Sequence, residues 1–135
     1  MNFDQACDYI YSFTDYEKKD RFAYDTRSWN LVAFRRFLDA LGAPDGRLSI
    51  VHAAGTNGKG AAAAALAALL TSAGKKTGLY TSPHLATLRE RIRVDGAMIP
   101  AGDFARIAAR LKGLQEKSGH GAGGGYRTTF ELLTA

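Results

Sequence analysis

Apolar residues recur every three to four positions in three stretches of the chain, the spacing that lines one face of an α-helix. The first stretch contains Phe3, Ala6, Cys7, Ile10 and Phe13. The second contains Leu31, Phe34, Leu38 and Leu41. The third contains Phe104, Ile107, Ala108, Leu111 and Leu114. The pattern predicts three amphipathic helices, with Asn2 or Asp4 capping the first, Ser28 capping the second, and Gly42 and Pro44 ending it.

The middle of the chain has a different pattern, that of a strand–helix–strand unit. Residues 48–53 are mostly apolar and predict a buried strand, and an alanine-rich helix is predicted from about residue 61 to 73, ending at Gly74. Residues 77–81 predict a second strand, and a crossover of this length indicates parallel strands. Residues 91–94 and 97–99, joined by Asp95 and Gly96, predict a hairpin.

The last part of the chain predicts one loop and one further helix. Residues 118–125 hold five glycines, and Thr128 or Thr129 can then cap a helix that begins near Phe130. Two parallel strands make a smaller sheet than parallel sheets normally have. We therefore expect residues 1–135 to be the N-terminal portion of a larger α/β protein, with the rest of that domain and a C-terminal domain lying outside this chain.

Composition narrows the classes of protein and partner. The 135 residues are 46% hydrophobic and 23% charged, as in ordinary soluble domains, and the net charge of +5 favours anionic partners. No aromatic residues alternate with a basic stripe, so we expect no nucleic-acid partner. The apolar run at 61–70 is too short to span a bilayer, and no signal peptide is evident. The single cysteine, Cys7, indicates a core residue in a reducing compartment, so we expect a cytoplasmic location without membrane association.

The stretch from residue 55 to 61 carries the strongest chemical signal. A predicted strand leads into glycines and Lys59, and a helix follows, so backbone N–H groups, a helix N-terminus and one full positive charge converge on an anion. Phosphate loops of this type usually have Ser or Thr after the lysine, where its hydroxyl binds Mg²⁺. Gly60 and Ala61 provide none. The alternative is a structural turn whose lysine is merely solvated.

Three motifs in order carry a resemblance to a known family. They are Gly-Thr-Asn-Gly-Lys-Gly at 55–60, the segment 74–85 with Ser-Pro-His at 82–84, and Glu-Arg-Ile-Arg-Val-Asp-Gly at 90–96. Together they resemble folylpolyglutamate synthase/dihydrofolate synthase, of the Mur-ligase superfamily of ATP-dependent amide-forming ligases. The implied fold is α/β: the N-terminal part of a P-loop parallel-sheet ATPase domain, preceded by two helices.

The resemblance implies an activity and roles for individual residues. ATP and Mg²⁺ would activate a carboxylate of folate or dihydropteroate as an acyl phosphate, which the amino group of L-glutamate attacks. Lys59 would act on the transferred phosphoryl group, and Ser82 would help to hold Mg²⁺. The residues implied to bind ATP are Thr56, Asn57, Gly58, Lys59, Gly60 and Ala61. Those aligned with pteroate-contacting segments are Thr128, Thr129, Phe130 and Glu131, and more loosely Ser28, Trp29 and Asn30.

Several of these residues also have a purely structural interpretation. Ser82 can be a turn residue before Pro83, Glu131 can complement a helix dipole, and residues 28–30 can simply begin a helix. We expect His52 to be a buried histidine of the strand and His84 to shape the loop after the second strand. Arginines at 89, 91 and 93 alternate, so on a strand they would share one face, either solvated or facing an anionic substrate.

Two other functions compete with the folate ligase. One is a muramyl-peptide-type ligase fragment, against which the motifs at 82–84 and 90–93 argue. The other is a non-catalytic nucleotide-binding or interaction module, which Ala61 favours. We expect the 135-residue chain alone to lack ligase activity, and the full-length enzyme to be monomeric with small-molecule partners.

Overall fold

The computed structural model describes residues 1–13, 31–117 and 128–135. The α-helices of these ranges are α1 (Phe3–Tyr11), α2 (Leu31–Ala40), α3 (Lys59–Ser72), α4 (Ala101–Lys117) and α5 (Thr129–Thr134). The strands are β1 (Gly78–Tyr80), β2 (Ile92–Val94) and β3 (Ala97–Met98), and 3-10 helices cover Pro44–Arg47 and Leu88–Arg91. The chain forms two compact units. We name Met1–Leu48 with Ala105–Ala135 the helical unit, and Ser49–Phe104 the sheet unit.

Helix α1 begins at a capping box, which confirms Asn2, one of its two predicted caps. The Asn2 side chain accepts a hydrogen bond from the Gln5 backbone N–H, and the Gln5 side chain accepts one from the Asn2 N–H, both at 2.9 Å. Ala6 and Ile10 are buried on its inner face. Burial, and then the charges of Asp4 and Asp8, raise the pKa of the Cys7 thiol. A raised pKa keeps this thiol protonated and unreactive, as expected of a structural residue.

The predicted apolar face of α2 is confirmed only in part, since Phe34, Leu38 and Leu41 are partly buried and the most buried face lies about one position away. Ala33 and Phe37 are buried, whereas Leu31 is 77% exposed and Leu38 is only partly buried. Residues 31–34 are all apolar, so two adjacent faces have helical spacing and the sequence cannot choose between them. The predicted stop is confirmed. Gly42 has a φ of 93°, and its N–H and that of the next residue donate to carbonyls in the last turn.

The core of the helical unit lies where α1, α4 and α5 supply apolar side chains. The buried members are Ala6, Ile10, Ala105, Ala108, Leu111, Leu132 and Leu133. The single hydroxyl proton of Thr129, on α5, is shared between the carbonyl oxygens of Ile10 at 3.1 Å and Phe13 at 3.2 Å. These bonds tie α5 to the end of α1. On α4 the predicted face is confirmed at Ala108 and Leu111, but Ile107 is 42% exposed.

The hairpin in the sheet unit is confirmed, whereas the parallel arrangement is not observed. β2 and β3 pair antiparallel across a turn in which Asp95 has a φ of 50° and Gly96 a φ of 82°, the type I′ geometry that Asp-Gly favours. β1 pairs antiparallel with β2, with Leu79 opposite Arg93, so the described sheet has the order β1-β2-β3. The prediction that β1 and residues 48–53 would be parallel neighbours is therefore not met.

Residues 48–53 form no strand in the structure. Ile50 and Val51 are 68% and 71% exposed, and His52, predicted to be buried, is exposed as well. A parallel strand is stable only with hydrogen-bonded neighbours and covered faces. Within the described residues no strand pairs with this segment, since β1, the edge strand of the sheet, pairs with β2 alone. Helix α3 likewise has no buried residue. The described ranges contain no helix long and apolar enough to cross a membrane.

Candidate phosphate-binding site

The loop that leads into α3 has the backbone conformation of a glycine-rich turn. Gly58 is the N-cap residue of α3, with a φ of 76° and a ψ of −7°. A Cβ added at Gly58 would meet no atom within 4 Å. The left-handed conformation, rather than lack of space, therefore favours glycine at this position.

The N-terminus of α3 presents backbone donors that lack partners within the described chain. Its first helical hydrogen bond runs from the Ala62 N–H to the Gly58 carbonyl, at 2.9 Å. The N–H groups of residues 59–61 therefore have no acceptor in the helix. No side chain caps this end, and no acidic residue lies in its first turn. Helices α1 and α5, in contrast, both begin with capping boxes.

Lys59 is the first residue of this helix and is exposed. Its ammonium group adds to the positive end of the dipole of a 14-residue helix. The residues from Thr56 to Ala61 are all exposed and contiguous, so the predicted nucleotide-binding segment lies open to a ligand. The structure thus provides free N–H donors and one cation, which is the chemistry that a phosphate group needs. The methyl group of Ala61 adds no ligand.

Ser82 lies at the start of a closed loop formed by residues 81–91. The Thr81 N–H donates to the Arg91 carbonyl at 3.0 Å, which joins the two ends of the loop. The Arg91 side chain is buried, and its Nε donates to His84 Nδ1 at 2.8 Å. The Ser82–Pro83 peptide bond is cis, and Ser82 itself is exposed. The prediction that His84 shapes this loop is therefore confirmed by the Arg91 contact.

A magnesium ion would bind to the sheet unit only together with a nucleotide, whose phosphates would supply most of its ligands. Within the described ranges, no group of three or more His, Cys, Asp or Glu side chains could hold a metal ion. Mg²⁺ commonly takes its ligands from phosphate oxygens and water, with only one or two from protein. An exposed Ser82 hydroxyl suits that arrangement, because the phosphates would supply the negative charge that the protein does not.

The carboxylate of Glu90 fixes the middle of the same loop. It accepts hydrogen bonds from three consecutive backbone N–H groups, those of Leu85 at 2.9 Å and of Ala86 and Thr87 at 2.8 Å. These backbone donors lower the pKa of Glu90 to about 2. This contact was not predicted from the sequence. The spacing of Thr87 and Glu90, typical of a capping box, is the signal in the sequence that indicates it.

The predicted row of arginines on one strand face is wrong. Arg89 and Arg91 belong to the 3-10 helix Leu88–Arg91, and only Arg93 lies on β2. Arg89 Nε donates to the Ile99 carbonyl at 2.6 Å. Arg89 and Arg91 are therefore held by structural contacts, and the alternation in the sequence reflects no shared surface.

The segment 128–131 lies in the helical unit and forms a capping box. The Thr128 N–H donates to the Glu131 carboxylate at 2.9 Å, and the Glu131 N–H donates to the Thr128 hydroxyl at 3.1 Å. Thr128, Thr129 and Glu131 are buried, and Phe130 is 39% exposed. Their contact with a pteroate group remains a prediction. The other predicted pteroate segment, Ser28, Trp29 and Asn30, lies outside the described residues.

Comparison with curated proteins identifies relatives of this chain. No protein-family model matches it. It is 39% identical over 126 residues to a probable bifunctional folylpolyglutamate synthase/dihydropteroate synthase of Haloferax volcanii, which covers 90% of this chain and 15% of that protein. It is 34% identical over 135 residues to the folylpolyglutamate synthase of Lacticaseibacillus casei, covering 100% of this chain and 29% of the relative.

Solved structures of similar proteins superpose on nearly the whole chain. The folylpolyglutamate synthetase from Lactobacillus casei gives a TM-score of 0.81 at 34% identity, covering 99% of this chain and 31% of that one. A complex of folylpolyglutamate synthase (FPGS) with AMPPCP and folate gives a TM-score of 0.83 at 33% identity, covering 99% of this chain and 30% of that one. The Thermotoga maritima folylpolyglutamate synthase gives a TM-score of 0.80 at 27% identity, covering 98% of this chain and 28% of that one.

The fold is therefore that of the N-terminal α/β portion of a Mur-ligase-type protein, which confirms the predicted fold class. Within that class, the chain is similar to part of the folylpolyglutamate synthases, the family that its motifs resemble. It spans less than a third of the length of each of these relatives.

Proposed function

We propose that this chain supplies the nucleotide phosphate site of an ATP-dependent ligase that joins L-glutamate to folate or dihydropteroate. The observation that carries the proposal is the uncapped N-terminus of α3 with Lys59 at its first position. A solved neighbour bound to AMPPCP and folate supports it, because that structure matches 99% of this chain. Residues 1–135 would then form the N-terminal portion of an ATP-binding domain.

The chemistry requires positioning and charge neutralisation at the phosphates. The substrate carboxylate attacks the γ-phosphorus of ATP, which forms an acyl phosphate and releases ADP. The glutamate amino group then attacks the acyl carbon, so that an amide bond forms and inorganic phosphate leaves. The N–H groups of residues 56–61 would hold the β- and γ-phosphates, and Lys59 would neutralise the charge that is transferred. Bound Mg²⁺, with Ser82 as a ligand, would supply further charge neutralisation.

The absence of a hydroxyl at Ala61 lowers the expected affinity without abolishing it. A hydrogen bond to a charged partner contributes about 1–3 kcal/mol, or about a tenfold to hundredfold change in affinity. The backbone N–H of residue 61 remains a donor. This residue is also the observation that favours the second candidate, a nucleotide-binding module without catalysis.

The partners that follow from this proposal are small molecules, namely ATP with Mg²⁺, L-glutamate and a folate or dihydropteroate. A cytoplasmic location and a monomeric full-length enzyme are part of the same proposal. The single cysteine, Cys7, is a free thiol, which suits a reducing compartment.

Calorimetric titration of the 135-residue chain with AMPPCP and Mg²⁺ tests the phosphate site. Lys59→Ala should weaken binding by tenfold or more, since it removes the one cation of the loop. Lys76→Ala is the matched control, because Lys76 is an exposed lysine of the same unit, and its loss should leave affinity within about twofold. Equal effects of the two substitutions would refute the site.

A second titration separates the candidate functions. Dihydropteroate is added to the chain after saturation with the nucleotide analogue. Heat of binding from dihydropteroate supports the folate ligase, whereas nucleotide binding alone would favour a muramyl-peptide-type ligase or a non-catalytic module.

A further inference from the structure

Arg91 holds both sides of the segment that carries Ser82. Its carbonyl oxygen accepts the Thr81 N–H at 3.0 Å, and its Nε donates to His84 Nδ1 at 2.8 Å. Thr81 and His84 directly flank Ser82 and Pro83, so a single residue contacts the chain before and after the serine. Arg91 is only 4% exposed, so its side chain has little freedom to leave this position.

The hydrogen bond from Arg91 requires an acceptor atom in the side chain at position 84. Because Arg91 Nε is a donor, His84 Nδ1 is the acceptor, and the proton of the neutral ring is on Nε2. An asparagine side chain carries its carbonyl oxygen at the place of Nδ1, two bonds from Cβ. Asparagine can therefore replace this acceptor, whereas leucine cannot.

Glu90 holds the remainder of the loop through separate hydrogen bonds. Its carboxylate fixes the N–H groups of residues 85–87 at 2.8 to 2.9 Å. Residues 81 and 84–87 are therefore all bound to Glu90 or Arg91. Compact loops with joined ends are frequently functional, and a site whose backbone is fixed before binding loses less entropy when it binds.

We propose that the His84–Arg91 hydrogen bond positions Ser82 for a magnesium ion bound to nucleotide phosphates. The inference rests on the proposed function, since the ion would be brought by the nucleotide. His84 and Arg91 are positioning residues in this proposal: they act through the backbone of Ser82 and contact neither ion nor phosphate.

The test measures how much Mg²⁺ improves binding of AMPPCP to the 135-residue chain. The dissociation constant is measured with Mg²⁺ and again with EDTA, and their ratio gives the magnesium enhancement. Ser82→Ala should reduce this enhancement about tenfold, as expected for loss of one charge-assisted contact. His84→Leu should reduce it equally, His84→Asn should retain it, and affinity in EDTA should not change.

The double variant and amide exchange separate positioning from general damage. Adding Ser82→Ala to His84→Leu should produce no further loss, because both changes remove the same interaction. Hydrogen exchange of the Leu85, Ala86 and Thr87 amides should stay at the wild-type rate in His84→Leu, because Glu90 holds them. His84→Ala provides the same comparison with no added apolar bulk if the leucine variant does not fold.

The results that would overturn the positioning role differ from the result that would overturn the proposed function. An unchanged enhancement in His84→Leu, an equal loss of affinity in EDTA, additive effects in the double variant, or loss in His84→Asn would each overturn the positioning role alone. A wild-type chain that binds no AMPPCP under either condition would overturn the proposed function, and the magnesium role with it.

Discussion

Replacing Gly60 with alanine should stabilise the fold and, at the same time, weaken the binding of nucleotide phosphates. It is the second residue of α3, it has helical backbone geometry, and a Cβ added there would meet no atom within 4 Å. Alanine is better than glycine in a helix by about 0.5–1 kcal/mol. Gly60→Ala should therefore raise the free energy of unfolding by up to that amount and the melting temperature by about 2–4 °C.

The same methyl group would lie among the N–H donors that are proposed to receive phosphate. Lengthening one charge-assisted hydrogen bond there should cost about 1.5–3 kcal/mol, so AMPPCP affinity should fall by about tenfold to hundredfold. Thermal unfolding and calorimetric titration of the same sample measure the two effects.

Gly102 is the matched control for this substitution. It is the second residue of α4, belongs to the same unit, and also has no atom within 4 Å of an added Cβ. Gly102→Ala should give the same stabilisation with unchanged affinity. If Gly60→Ala binds AMPPCP as well as Gly102→Ala does, phosphate does not approach the N-terminus of α3, and the proposed phosphate site is refuted.

Three further predictions concern stability, pH and activity. Thr129→Val removes the hydroxyl bonded to the Ile10 and Phe13 carbonyls, so urea unfolding should show a loss of about 1–3 kcal/mol; the exposed Thr134→Val should change little, and equal losses would contradict this role. Glu90 has a pKa lowered to about 2 from 4.5, so its contribution is present above 4.5 and lost as pH falls through 2. NMR signals of the Leu85, Ala86 and Thr87 amides should accordingly hold steady from pH 7 to 5 and shift only in strong acid; a transition near pH 4.5 would show that Glu90 does not bind them. The 135-residue chain should form no product that depends on ATP and glutamate, and turnover above the blank would refute this.

Local signals predicted the parts of the fold that depend on neighbouring residues. The Asp95–Gly96 turn is type I′ because both residues tolerate positive φ, and this is readable from the dipeptide. The cap at Asn2 and the stop at Gly42 are confirmed for the same reason: their hydrogen bonds join residues close in sequence. The turn before α3 also belongs here, since Gly58 has a positive φ and Lys59 begins the helix that follows, whereas phosphate binding stays a prediction.

Features that depend on distant partners were not predictable. Residues 48–53 have the composition of a buried strand, but no described strand pairs with them, and their apolar side chains are exposed. The three alternating arginines suggested one strand face, yet two of them lie in a 3-10 helix with separate structural contacts. In both cases, periodicity identifies which residues could share a face and leaves open what that face meets.

The sequence by itself therefore determined the glycine turn before α3, the caps, the hairpin and the family resemblance, because each is encoded in a few adjacent residues. The tertiary structure alone decided how the Ser82 loop is held. Glu90 and Arg91 act there through backbone N–H groups and a histidine ring nitrogen, at distances of 2.8 to 3.0 Å. Hydrogen bonds depend on atoms meeting at a particular distance and angle, and only the folded chain brings those atoms together.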